Sequence, residues 1–144
     1  MKAFLFIILS TFTTVLSFSQ NEISWTFSYN KDLKQLEMKA TLQKGWHIYS
    51  ARFDNDGGPV KTEFEFEIAG DAVLVGEINE PTPIEEFDPN FDMTVRYFSK
   101  EVIFSQGIKF KKTKSIKGSV VYMICNDQMC LPPVSIPFEI QLKK

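Results

Sequence analysis

Glu63-Phe64-Glu65-Phe66-Glu67-Ile68 sets an apolar side chain at every second position with a carboxylate between. Successive side chains of a strand point to opposite faces, so the hexapeptide reads as a half-buried β-strand with its glutamates on the wet face. The same period runs outward in both directions. Upstream, Ile23, Trp25, Phe27 and Tyr29 alternate with polar residues, as do Leu36, Met38, Ala40 and Leu42; downstream, Val134, Ile136, Phe138, Ile140 and Leu142 share one face. Further strands are predicted at Trp46 to Ser50, Ala72 to Ile78, Thr94 to Phe98, Glu101 to Phe110 and Ile116 to Ile124. Turn chemistry separates them at Asn30-Lys31-Asp32, Lys44-Gly45, Asp54 to Pro59, Gly70-Asp71 and the proline-bearing run Pro81 to Asn90. No stretch carries a helical period. Eight or nine short strands at this spacing predict an all-β chain, an antiparallel β-sandwich of immunoglobulin-like type. Pro137 has no backbone donor and is expected on an edge strand or at a bulge.

The N-terminus reads as an export signal. Lys2 is the only charge among the first twenty residues, Ala3 to Leu9 form an apolar run, and Ser17-Phe18-Ser19 offers a small-x-small cleavage site before Gln20. The apolar stretch is short and rich in hydroxyl groups for a bilayer core of about 30 Å, so cleavage rather than stable membrane insertion is expected. Residues 1–19 are then a signal peptide and residues 20–144 a single domain. Losing Lys2 from 16 basic side chains leaves 15 against 18 acidic ones, a balance that argues against nucleic acid as a partner. Lys109, Lys111, Lys112, Lys114 and Lys117 form the one basic cluster, expected to cover a solvated strand connection.

The two cysteines of the chain, Cys125 and Cys130, flank Asn126-Asp127-Gln128-Met129 and precede Leu131-Pro132-Pro133. A four-residue hairpin loop brings its flanks close to the Cα separation of about 5.5 Å that a disulfide prefers. The ring so closed is small, and the chain-entropy model gives it only about 2 kcal/mol. A domain of this length buries a core without crosslinks, so stability alone explains the pair poorly. Thiol–disulfide exchange needs one attacking thiolate and a second thiol close by to resolve the mixed disulfide, and the pair meets that requirement. Pro132 and Pro133 remove two donors and stiffen the outgoing chain behind Cys130. No basic residue stands beside either thiol, and Asp127 disfavours a thiolate, so reactivity is expected to depend on docking of a partner. The alternative is a secreted β-sandwich binding module with an inert structural disulfide.

Tyr122-Met123-Ile124-Cys125 followed by Cys130-Leu131-Pro132-Pro133 resembles the N-terminal periplasmic domain of the thiol:disulfide interchange protein DsbD. Gly45-Trp46-His47-Ile48-Tyr49-Ser50 looks like that family's glycine-aromatic strand beneath the active site, and Glu85-Glu86-Phe87-Asp88 resembles its acidic, phenylalanine-tipped cap loop. The resemblance implies a periplasmic immunoglobulin-like module, linked to protein-disulfide reduction and cytochrome c biogenesis. It would take electrons from a thioredoxin-like protein or a separate membrane electron carrier and pass them to oxidised periplasmic proteins. By position, Cys130 would form the mixed disulfides and Cys125 would be its buried companion. Phe87 would shield the pair, His47 and Tyr49 would lie beside it, and Glu85 and Glu86 would sit at the cap. The spacer is one residue shorter than in the best-known form of the family, and His47 stands where an aromatic hydroxyl is familiar.

Other chemistries fit less well. His47 is the single histidine, so with Cys125, Cys130 and Met129 it falls short of a blue-copper set, and it makes too few ligands for zinc; no metal or cofactor is expected. Asp54-Asn55-Asp56-Gly57-Gly58 lacks the later ligands of a calcium loop and reads as a glycine turn. Nothing resembles a serine-histidine-acid or phosphate-loop constellation.

Overall fold

In the computed structural model the described residues are 22–52, 57–89 and 91–143. The export segment, Asp54 to Asp56 of the glycine turn, and Asn90 lie outside them. Among the described residues there are eleven strands and no helix. They are β1 (Ile23–Asn30), β2 (Gln35–Leu42), β3 (His47–Tyr49), β4 (Glu63–Glu67), β5 (Val73–Asn79) and β6 (Ile84–Asp88). After these come β7 (Met93–Ser99), β8 (Glu101–Lys109), β9 (Ser115–Tyr122), β10 (Ile124–Cys125) and β11 (Val134–Gln141). All pairings are antiparallel, in three sheets of order β1-β2-β8-β5, β10-β3-β7-β6 and β11-β9-β4.

The predicted alternation is what closes the sandwich. In the first sheet Trp25 pairs with Ala40 and Phe27 with Met38, while Met38 pairs with Phe104 and Ala40 with Val102, all on the inner face. Facing them, the third sheet contributes Phe64, Phe66, Ile116, Val120, Tyr122, Phe138 and Ile140. The rings of Phe27 and Phe138 stack at 4.5 Å, and Phe104 meets Phe64 at 5.2 Å. Gly118 permits the tightest approach, since a Cβ there would fall 2.2 Å from the Glu65 carbonyl oxygen and 2.6 Å from the Phe138 ring. Glu63, Glu65 and Glu67 are exposed, as the hexapeptide predicted. Ile68, one residue past the end of β4, is 45% exposed and leaves the inner face. Pro137 lies on β11, an edge strand, where its missing donor breaks no ladder. The basic cluster is exposed, as expected of a solvated connection.

Two departures from the sequence reading account for the larger strand count. Pro81 to Asn90 was expected to be turn and loop, yet β6 lies inside it. It pairs only with β7, and its residues 84–87 are exposed. No buried face imposes an alternating pattern on such an edge strand; cross-strand polar contacts hold it instead, Glu85 to Arg96 at 2.7 Å and Tyr97 to Glu86 at 2.6 Å. The predicted strand Ile116 to Ile124 is broken at Met123. There the chain leaves the third sheet, where β9 runs between β4 and β11, and enters the second as β10 beside β3.

Candidate redox site

Side-chain alternation on the second sheet separates core from site. Ile48, Ile124 and Phe98 point into the main core, with Ile48 opposite both of the others. Their neighbours face the other way: Tyr49, Val95, Met123 and Cys125 form a second, smaller cluster, packed with Phe91, Met93 and Tyr97. Cys125 pairs directly with His47, and Tyr49 with Tyr97. The short strand His47–Tyr49 thus carries both polar aromatic groups on the face of the sulfur.

Cys125 and Cys130 are joined in a disulfide, with Cα atoms 4.0 Å apart. This is closer than the separation expected from the loop alone. The residues form an isolated antiparallel bridge between two hydrogen-bonded rungs, Asn126 N–H to Met129 O and Leu131 N–H to Ile124 O, both 2.9 Å. A pair flanked in this way is the close, non-hydrogen-bonded type. The turn is tied by a device the sequence analysis missed: Asn126 Oδ1 accepts from the backbone N–H of Gln128 and of Met129, each at 2.9 Å. Asparagine opening a tight turn was the available signal.

The two sulfurs differ sharply in environment. Cys125 is 2% exposed, whereas Cys130 is exposed beside exposed Met129, Pro132 and Pro133. Leu131 is half-buried and packs on the main core, anchoring the chain directly behind Cys130. Tyr49 has no exposed surface, and its hydroxyl donates to Cys125 Sγ at 3.1 Å. Thr62 Oγ1 donates to the Tyr49 carbonyl at 2.6 Å and fixes the strand from its other side. His47 Nε2 lies 3.3 Å from the Tyr49 hydroxyl, and the imidazole packs on the Tyr97 ring at 4.7 Å.

Burial pushes the Tyr49 hydroxyl well above the ordinary tyrosine range, with smaller contributions from Asp88 and Tyr97. Tyr97 is raised to about 12, chiefly by its hydrogen bond to the Glu86 carboxylate. Burial lowers His47 below the usual histidine value, against the opposing pull of Asp88, Asp127 and Glu86. The imidazole is therefore neutral at pH 7. Two cavities meet at His47, Tyr97 and Asp127. One, of about 230 Å³, is lined by Glu86, Phe87, Asp88, Pro89, Val95 and Asn126; the other, of about 440 Å³, runs past Trp46, Lys44 and Lys100.

Of the residues singled out from sequence, the structure brings together Cys125, Cys130, His47 and Tyr49, with Asp127 and Glu86 around the adjoining cavity. Glu85 stands apart, opposite Arg96 and paired with it. Phe87 pairs with Thr94, is 58% exposed and lies at the cavity rim. The aromatic that reaches the site from this side is Phe91, whose ring meets Tyr49 edge-on at 6.5 Å. Phe91, Tyr97, Val95 and Met123 were missed as site residues. Tyr97 and Val95 were legible only as strand alternation, and Phe91 follows the proline-bearing run without any period to mark it.

A β-sandwich with a hairpin disulfide, one sulfur buried beneath a hydroxyl and the other open to partners, defines a domain of the thiol–disulfide exchange class. The family model described as "Thiol:disulfide interchange protein DsbD, N-terminal" matches residues 16–141, and the chain belongs to that family. It is an immunoglobulin-like thiol:disulfide interchange module. Among solved structures it is similar to the reduced DsbD N-terminal domain of Neisseria meningitidis, at TM-score 0.66 and 16% identity over 87% of this chain and 89% of that one. It is also similar to a structure of the complex between the DsbD N-terminal and PilB N-terminal domains of Neisseria meningitidis, at 0.63 and 14% over 88% of each. The N-terminal periplasmic domain of ScsB from Proteus mirabilis follows at 0.55 and 17%, covering 85% of this chain and 47% of that one. No curated protein matches the chain.

Proposed function

We propose that this domain relays electrons from a thioredoxin-like or membrane reductant to oxidised exported proteins, acting as a protein-disulfide reductase in the periplasm. Residues 20–144 form the working domain and residues 1–19 the export signal. One observation carries the reading: in a single disulfide, Cys130 is exposed and Cys125 is buried. An incoming thiolate needs access to the sulfur it attacks, so Cys130 is the atom that makes intermolecular bonds and Cys125 is the leaving or resolving sulfur. Exposed Met129 adjoins Cys130 and exposed Phe87 stands at the rim of the cavity lined by Asn126 and Asp127, apolar groups that a partner could cover, and a DsbD N-terminal domain of the same fold has been solved in complex with the PilB N-terminal domain. Membership in the family supports the cysteine roles, and the acidic surroundings of the pair favour docking over a strongly activated thiolate.

Trapping tests the reading. Cys125→Ala is expected to accumulate a mixed disulfide through Cys130 with a thioredoxin-like protein, and Cys130→Ala to accumulate none. The reduction potential of the pair is expected near the thioredoxin value of about −270 mV. Failure of both variants to trap a partner, with a potential below about −300 mV, would mark an inert structural bond and overturn the proposal.

A further inference from the structure

Cys125 poses a chemical problem that its burial creates. To attack a mixed disulfide on Cys130 it must first lose a proton, yet it is 2% exposed and bulk water has little access. The Tyr49 hydroxyl lies at hydrogen-bonding distance from its sulfur. Tyr49 cannot keep a negative charge, because burial, with smaller contributions from Asp88 and Tyr97, holds its hydroxyl protonated. It can only pass a proton on. The group placed to receive one is His47, whose Nε2 is 3.3 Å from the same hydroxyl.

We infer that Tyr49 and His47 form a two-member proton relay for the buried sulfur of Cys125, with His47 the terminal base. The inference rests on the reading of Cys130 as the sulfur that forms mixed disulfides. In that intermediate the Cys125 thiol proton moves to Tyr49 Oη as the tyrosine's own proton moves to His47 Nε2. The Cys125 thiolate then attacks Cys130 Sγ. A Cys125–Cys130 bond forms, the bond from Cys130 to the substrate sulfur breaks, and the electron pair departs on the substrate as a thiolate. Over the two attacks the protein dithiol loses two electrons and the substrate disulfide gains them. His47 is half-buried and borders both cavities, so its extra proton can leave to solvent. In the disulfide state the hydroxyl points its hydrogen back at Cys125, the arrangement expected once the relay has run.

The base is tuned by what surrounds it. Glu86 and Asp88 approach from β6, Asp127 from the cysteine turn, Tyr97 from β7 and Tyr49 from its own strand, while Lys44 and Lys100 line the groove on the far side. The carboxylates favour imidazolium and burial opposes it, with burial the stronger. His47 is Tyr49's proton acceptor and does not touch sulfur, so it is a positioning residue of the exchange, and Tyr49 is the catalytic one.

Stopped-flow reaction of the reduced protein with one equivalent of 5,5′-dithiobis(2-nitrobenzoate) separates the steps. The first chromophore leaves when Cys130 attacks, the second when Cys125 resolves. His47→Phe and Tyr49→Phe are each expected to slow the second phase at least ten-fold relative to the first, the low end for general-base catalysis being about 100-fold. His47→Phe should also remove an inflection below about pH 6.5 from the second-phase profile. Added imidazole should restore His47→Ala and leave Tyr49→Phe slow. Second phases within two-fold of wild type in both variants, with an unchanged pH profile, would overturn the relay. A wild-type protein that releases no first-phase chromophore would overturn the Cys130 reading instead.

Discussion

The hydroxyl of Tyr49 donates to Sγ of Cys125 across 3.1 Å from a side chain with no exposed surface. One sulfur of the pair is thus held by the protein interior while the other faces outward. Most of the behaviour expected of the domain follows from that asymmetry.

Aromatic shielding is expected to divide between two phenylalanines. Phe91 packs toward Tyr49, so Phe91→Ala should speed alkylation of Cys125 in the reduced protein. Phe87, 58% exposed at the cavity rim, should alter access to Cys130 and cost less than about 0.5 kcal/mol of stability. Mass-resolved alkylation of each thiol, with parallel denaturant titration, distinguishes these effects. A large stability loss in Phe87→Ala would make it a core residue.

Turn chemistry should appear in the redox potential. Asn126→Ala removes two acceptor contacts that close the loop, worth about 1 kcal/mol together if they favour the disulfide form. Looser cysteines meet less often, so the potential should rise, becoming less negative by about 20 mV. Equilibration against a glutathione series reads the shift; an unchanged potential would show the turn to be equally ordered in both redox states.

Acid stability should report His47. Its folded-state pKa is depressed by burial, so between that value and the unfolded value of about 6.5 the unfolded chain binds more protons. Stability contributed by neutral His47 is complete above about pH 6.5 and is lost as pH falls through the folded pKa. Urea midpoints measured downward from pH 7 should drop more steeply in wild type than in His47→Phe. Parallel curves would mean that burial of the imidazole has no such effect.

Glu86 should control the ionisation of Tyr97. With the carboxylate in place the phenol titrates near 12, and Glu86→Gln should bring it toward 10. Ultraviolet titration of tyrosinate, with Tyr97→Phe to assign the transition, measures this. An unmoved transition in Glu86→Gln would place the cause in burial alone.

Period-two patterning made the sandwich legible because most strands bury one face, and Phe64, Phe66, Phe104 and Phe138 lie inside as that pattern requires. It failed where no single face is buried. β6 has an exposed surface along most of its length and is held by Glu85–Arg96 and Tyr97–Glu86, contacts that leave no period. The break at Met123 was also hidden, since Tyr122 and Ile124 on either side of it are both buried in the main core, one from each sheet. Within the site, cysteine spacing and family resemblance led to Cys125, Cys130, His47 and Tyr49. Tyr97 and Phe91 come together with them only through long-range strand pairing and packing.

The change of sheet at Met123 gives the two sulfurs unequal mechanical footing. Cys125 ends β10, which pairs with β3 just past a strand laced on both sides by β4 and β11, while Cys130 stands in the hairpin between the rungs Asn126 to Met129 and Leu131 to Ile124. When the sulfur–sulfur bond opens, the two halves of the hairpin should not relax alike. Cys125 behaves as the fixed plate of a latch and Cys130 as its bolt, free to swing toward a docked partner while the plate stays registered with the body of the fold. Amide exchange would show this as lost protection at Leu131 on reduction, with Ile124 and Tyr122 remaining slow.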